Sequence, residues 1–474
     1  MKKRLLTAGI SVVLILSAVC AFAACSDTRT DGIFSEGVIA VANEDGLWGY
    51  ADSNGDVAIN YQYAKATPFR NGVAAVAYSS GSSGGKFFII DKEGAHISGP
   101  YDSAAFSKDG KWIVVQNDSG FYGVYDTANK TMKLDCVYDS VSELENGFFL
   151  TVYETYYTVT DLSAGTTVAG PFGSGSSADV TYEGTQGKWL FTRTVSAAAE
   201  EGGADVVTYK AVDMATGEEY GQTWSEMIAY DGWTVMRSVS ADGSAVRQWV
   251  VTDSAVIEVS NDAVIGRMND SDTLLVSVSV TDSSDSSQST VYTLYGENGA
   301  QLYTGNTAPV WKGDSYLVCN YDESAGLSFT AAKEGVAYSA NVPLPGGHTW
   351  ADAANFSFYE SGAASFEVSY RVRGQDGTEE TNNKYMFLSG GNLSEVPEGY
   401  TVESAYGGKV VLRNTAADRV GVFDMNMNAV TECIYSGAEV TESGYMIVRL
   451  GKAYGVLAED GAVVMDCVYT AIAA

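Results

Sequence analysis

Histidine, proline and basic residues are scarce in this 474-residue chain: two His, seven Pro, and 28 Lys plus Arg against 59 Asp plus Glu. The two histidines, His96 and His348, have no Cys or second His at ligand spacing. A zinc site or a Ser-His-Asp triad would have to be built on one of them, and both are read instead as turn residues. The formal net charge is −31, and it becomes −34 once residues 1–24, which hold Lys2, Lys3 and Arg4 and no acid, are set aside. Such a surface repels nucleic acid and anionic head groups, because each phosphate contact draws on Lys or Arg. Self-repulsion of this kind keeps an exported protein soluble. After the N-terminus there is no helical periodicity and no apolar run near the roughly 18 residues of a spanning helix. Apolar residues as such are plentiful, at 46% with 30 tyrosines, which excludes a disordered chain.

The N-terminus reads as an export signal. A basic start at Lys2-Lys3-Arg4 precedes an apolar run from Leu5 to Val19 and the small-residue zone Ala21-Phe22-Ala23-Ala24-Cys25, too short and wrongly flanked for a permanent span. Phe22-Ala23-Ala24-Cys25 resembles a bacterial lipobox, with Phe in place of the usual Leu. That resemblance implies a signal peptide over residues 1–24, lipid attachment at Cys25, a tether over 25–32, and anchoring to the outer side of a bacterial membrane. Ala21-Phe22-Ala23 also satisfies the rule for ordinary secretion, so a soluble secreted protein is the alternative.

The remainder reads as β throughout. Val73–Tyr78, Trp112–Gln116 and Leu274–Val280 are short β-branched and aromatic runs bounded by Gly, Asn, Asp and Ser. Glu44-Asp45-Gly46, Ala241-Asp242-Gly243, Glu297-Asn298-Gly299 and Glu459-Asp460-Gly461 are hairpin turn signals. The spacing then repeats. From Gly49 to Tyr63, from Gly421 to Tyr435 and from Gly455 to Tyr469 is fourteen residues, and from Gly123 to Tyr138 fifteen. From Tyr63, Tyr101, Tyr138 and Tyr435 a Gly follows nine residues on. A hairpin plus a third strand thus recurs every 34 to 40 residues in the clear copies, the period of a propeller or a solenoid.

The best copy runs Gly46-Leu-Trp48-Gly49-Tyr50-Ala-Asp52-Ser-Asn-Gly55 through Gln62-Tyr63 to Phe69-Arg-Asn-Gly72. It resembles the bacterial WG-repeat family, whose units read roughly G-x-W-G-Y-I-D-x-x-G and then Y-D and F-x-x-G. Clear copies cover 33–172 and 405–474. Elsewhere the signature is worn: Trp48 becomes Tyr122, Val420 and Tyr454, and Phe88 replaces the Gly. Residues 173–404 are expected to be degenerate β repeats. The resemblance implies an all-β, propeller-like scaffold of three- to four-stranded antiparallel meanders with no established chemistry of its own. Trp48, Gly49, Tyr63, Gly123, Tyr138, Gly421, Tyr435, Gly455 and Tyr469 are therefore structural expectations. The glycines admit close backbone or ring approach, and the aromatics pack between units. The rival use of the aromatics, a stacking platform for sugar rings, requires them exposed along one groove.

A search for chemistry assigns no catalytic residue, cofactor or metal. Asp52-Ser-Asn-Gly-Asp56 lacks the ligand series and closing Glu of an EF-hand and falls on a hairpin turn. Ser240-Ala-Asp242-Gly243 with Trp249 is only faintly similar to a sialidase Asp-box. The Gly81–Gly85 loop has no helix after it to cradle phosphate. Cys136, Cys433 and Cys467 each stand two residues before a repeat Tyr and Cys319 lies in a strand run. Equivalent positions in successive units exceed the reach of a disulfide, so unpaired thiols acting as small buried hydrophobes are expected.

The chain stops at Cys467-Val-Tyr469-Thr-Ala-Ile472-Ala-Ala474, while Ile33-Phe34-Ser-Glu-Gly37-Val-Ile-Ala-Val41 matches Ser142–Leu150 of a complete unit. Val38–Val41 is therefore expected in the same sheet as the strand ending near Tyr469, one blade being completed from both ends. The texture suggests ten or eleven units, above the usual blade count, so two linked rings or an open array are the alternatives. The expected function is a non-catalytic, envelope-anchored binding or scaffold protein with a protein or cell-wall glycan partner. The alternative is an extracytoplasmic carbohydrate-active enzyme using carboxylates in a propeller funnel.

Overall fold

The computed structural model describes residues 33–79, 85–144, 147–173, 180–196, 205–230, 233–240, 246–266, 273–281, 288–296, 298–312, 315–359 and 362–473. The signal, Cys25 and the tether, most of the Gly81–Gly85 loop and the Asp242 turn lie outside them. Every regular element among the described residues is a β-strand, and the strands form ten sheets, eight of them four-stranded. The fold is all-β and propeller-like. Apart from the sheet that joins the two chain ends, the strands within a sheet follow chain order as antiparallel meanders, the arrangement that short β-branched runs separated by Gly and Asx turns select. The seven-stranded sheet is two such meanders joined by one parallel pair, Gly173 with Thr181. Eleven units result, spanning in order 38–63, 65–101, 103–138, 140–173, 180–213, 226–259, 264–305, 310–342, 348–395, 400–424 and 437–469.

Hydrophobic burial sits between units. Tyr50, Ile59 and Tyr63 of unit 1 pack with Ala66, Phe69 and Val76 of unit 2. Ile89 and Tyr101 of unit 2 pack with Ile113 and Tyr125 of unit 3. The pattern continues through the worn middle, where Trp189 of unit 5 and Trp224, bridged to Tyr209 of that unit, meet Met236 and Trp249 of unit 6. At the end, Ile447, Val456 and Tyr469 of unit 11 pack with Ile33, Ile39 and Val41 of unit 1. A meander buries one face on each neighbour, so the unit that would be an exposed cap in an open stack is covered here by the other end of the chain.

The circuit closes one strand later than expected. Val463–Tyr469 is the last strand of unit 11, with Tyr469 opposite Tyr454. The chain then crosses at Thr470, whose N–H donates to the Ala42 carbonyl at 3.0 Å. Ala471–Ala473 pairs antiparallel with Ala40–Ala42 as the first strand of unit 1. Tyr63, Tyr101, Tyr138 and Tyr469 each end the last strand of their unit, and Tyr435 bridges back to Val420 of unit 10, so the residues after each belong to the next unit and the chain end follows the same rule. The boundaries drawn at 172/173 and 404/405 fall inside strands, Thr166–Gly173 and Tyr400–Tyr406.

Candidate interaction surface

The signature residues form the frame of the units that carry them. Gly49 faces a bulge, with Trp48 opposite Tyr63 and Tyr50 opposite Ile59. One residue therefore stands against three. A Cβ on Gly49 would lie 2.6 Å from the Ile59 carbonyl oxygen and 3.0 Å from the Tyr61 ring. The same crowding recurs at Gly123 against Leu134 and Cys136, and at Gly421 against Thr431 and Cys433. Where Phe88 and Thr158 replace that glycine, the glycine moves across the ladder. Gly99 and Gly170 of the facing strand then approach the Phe87 and Tyr157 carbonyl oxygens at 2.9 and 2.6 Å, measured from an added Cβ. Tyr63 and Tyr469 are buried, while Tyr138, Tyr435 and Trp48 are half-buried at unit junctions. Burial pushes the Tyr63 hydroxyl up to about 12.

Cys136, Cys319, Cys433 and Cys467 form no disulfide and are half-buried rather than buried, a correction to the small-hydrophobe reading. Three of them fill the space over a signature glycine, the place Tyr61 takes in unit 1. The histidines are not turn residues. Each begins a strand, His96–Tyr101 and His348–Tyr359. The His96 ring stacks on Phe88 at 4.3 Å and its Nε2 meets the Tyr78 hydroxyl at 2.9 Å. His348 is 3% exposed, with Nδ1 2.9 Å from the Pro345 carbonyl oxygen.

Two ends of the meanders present turns. At the end bearing the turns between strands one and two and between strands three and four, the aspartates act on their own backbone. Asp52 accepts the N–H groups of Asn54 and Asp56 at 2.8 and 3.0 Å, and these bonds hold its carboxyl below the usual range. Asp424 does the same with Asn426 and Asn428, as Asx turns do. Neighbouring turns clasp one another here. Glu36 accepts the Gly72 N–H at 2.9 Å and pairs with Lys92, Asn71 donates to Thr127, and Glu143 accepts the Lys108 N–H at 2.9 Å. A groove of about 490 Å³ opens at the last junction, lined by Lys409, Ser443, Tyr445, Ala458, Glu459 and Asp460. The Lys409 ammonium there is 3.4 Å from the Glu459 carboxylate.

The opposite end carries the turns between strands two and three. In units 3 and 4 these expose aromatic rings: Phe121 is 40% exposed, and Tyr153 and Tyr156 are each 50% exposed. Tyr153 meets Tyr138 edge-on at 6.4 Å between centroids. Sequence reasoning assigned the aromatics to packing, and only placement on turn tips distinguishes these three. Asp139 lies beside them and its carboxylate accepts the Glu154 N–H at 2.6 Å. The corresponding acid of unit 2, Asp102, is instead paired with Lys86, which also reaches Asp118 at 2.8 Å.

No curated protein matches the chain. Solved structures similar to it include the eukaryotic initiation factor, at 12% identity over 92% of this chain and 97% of that one, with a TM-score of 0.34. Prolyl oligopeptidase B from Galerina marginata is 10% identical over 65% of this chain and 54% of its own, with a TM-score of 0.23. The WD40 domain of SCAP from fission yeast is 9% identical over 75% and 90%, with a TM-score of 0.18. Residues 48–78, which run from the Trp48-Gly49 pair through Tyr63 and the Phe69 turn, match the family model of the WG containing repeat.

Proposed function

We propose that this chain is a non-catalytic binding or scaffold protein, held on the outer side of a bacterial membrane by a lipidated Cys25. It presents the turns of a β-repeat circuit to a protein or cell-wall glycan. The observation that carries the reading is the use of the repeat itself. The signature glycines, tyrosines and Asx turns are committed to ladders, junctions and their own backbone, which leaves the turn tips as the variable surface. The matched repeat at 48–78 supports the same reading. The basic, apolar and small-residue order before Cys25 supports the anchor.

Two measurements test the two parts. Metabolic labelling with a tagged fatty acid should mark the wild-type protein and not Cys25→Ala; an unlabelled wild type found in the medium would establish soluble secretion. Oligosaccharides and envelope proteins passed over the purified chain should give saturable binding without turnover. Release of reducing sugar from a bound glycan would favour the carbohydrate-active alternative.

A further inference from the structure

One slot on the turn-tip end lacks a group that its neighbour has. In unit 2, Lys86 immediately precedes Phe87, and Phe87 is paired with Tyr101. Asp102 follows that Tyr, and the Lys86 ammonium sits between the Asp102 and Asp118 carboxylates. In unit 3, Tyr122 is paired with Tyr138 in the same way and Asp139 follows. The residue at the place of Lys86 is Phe121, 40% exposed. Asp139 and Glu154 are both exposed and neither has a cation partner among the described residues. Tyr153, whose ring meets Tyr138, is paired with Tyr156 across the turn, and each is 50% exposed.

Elsewhere the protein spends its few cations on such rings. Lys65 lies over Phe87 at 5.7 Å, Arg70 over Phe106 at 5.5 Å, Lys188 over Trp189 at 4.5 Å and Arg247 over Trp249 at 5.0 Å. An aromatic face flanked by carboxylates is the chemistry that holds a guanidinium or ammonium, through the ring quadrupole and through charge-assisted hydrogen bonds. We propose that the slot formed by Phe121, Asp139, Tyr153, Glu154 and Tyr156 takes an Arg or Lys side chain of a basic protein segment, which fills from outside the position that Lys86 fills one unit earlier. The proposal rests on the binding reading above and names its partner as a cationic polypeptide rather than a glycan. The high negative charge steers such a segment toward the surface, and the aromatic rims fix where it settles.

The test measures binding of an alternating Gly-Arg peptide to the purified protein, with a Gly-Gln peptide and chitohexaose as comparison probes. Tyr153→Ala with Tyr156→Ala leaves the net charge unchanged and should weaken the Gly-Arg peptide about tenfold or more. Phe121→Lys, which restores the arrangement of unit 2, should weaken it comparably, and Tyr230→Ala on unit 6 should leave it unchanged. Unaltered thermal midpoints establish that the variants are folded. Equal binding by wild type and the tyrosine variant would overturn the slot, because the peptide would then be held by general acidity, while the wider binding reading stood. Chitohexaose binding lost in the tyrosine variant, with no peptide binding, would also overturn it and make the rim a sugar platform. Binding of neither probe by the wild type overturns it outright.

Discussion

The sulfur of Cys467 lies over the α-carbon of Gly455: a Cβ built there would stand 2.8 Å from Sγ and 2.7 Å from the Met465 carbonyl oxygen. The thiol can move, but the carbonyl belongs to the ladder. Gly455→Ala is therefore expected to cost roughly 1–3 kcal/mol, the range for overpacking, and Cys467→Ala in the same chain should not restore it. Gly346→Ala, with nothing within 4 Å of the added Cβ, should stay within about 0.5 kcal/mol of wild type. Denaturant unfolding of the three variants checks this, and an unperturbed Gly455→Ala would remove the close-approach account of the signature glycine.

The thiols in those spaces are half-buried, and burial raises the Cys136 and Cys467 groups above the ordinary thiol value. The thiolate is the reactive form. Alkylation of native protein near neutral pH is expected to be slow at both and to become fast on unfolding. Peptide mapping without reduction should return Cys136, Cys319, Cys433 and Cys467 as free thiols. A Cys433–Cys467 bridge in native protein would contradict the placement of these two residues on successive units.

The period was legible because it is written in the residue types the backbone demands, Gly at the bulge and Asp or Asn at the turn. What the sequence concealed was compensation across strands. Phe88 looks like a lost signature, yet Gly99 on the facing strand supplies the missing space, and no single-strand motif records that exchange. The closing strand was placed on the one ending at Tyr469 because the expected pairing counted from the Tyr and not from the crossover at Thr470. The open slot beside Asp139 depends on aligning Lys86 with Phe121 through their pairing partners, Tyr101 and Tyr138. Those correspondences need the register, which hydrophobic alternation leaves free to slip.

The Asx turns carry a pH dependence. The Asp52 carboxyl is held low by the N–H groups of Asn54 and Asp56, so its contribution is present above the unfolded value of about 3.9. It is lost as pH falls through the lower folded value. In the turns between strands two and three at the opposite end, Asn43 and Asn117 hold the same place within the turn and accept bonds from the N–H groups two and four residues on. Asp52→Asn should thus keep the turn and lose only the charge-assisted part. The difference in thermal midpoint from wild type should be largest near pH 7 and fade as pH falls through the lowered folded value. A difference that grew on acidification would refute the assignment.

Closure through the chain ends makes distant segments share one stability. Ala471–Ala473 covers the edge of Ala40–Ala42, and Ile472 packs at the junction of units 11 and 1 with Ile39, Val41, Ile447 and Val456. Ile472→Pro takes apolar surface away from that junction and fixes φ at the centre of the closing strand. In a closed circuit, hydrogen exchange should quicken in Val38–Ala42 and also in Ala453–Leu457, which lie more than 400 residues apart in sequence. The loss would spread from that junction, with Thr234–Val251 of unit 6, on the far side of the circuit, keeping its protection longest. In an open array the same substitution would loosen the C-terminal unit alone, since nothing would rest on the strand after Tyr469. Full protection retained at Val38–Ala42 in Ile472→Pro would therefore decide against closure, and deletion of Ile33–Ala42 read at residues 440–473 tests the same junction from its other side.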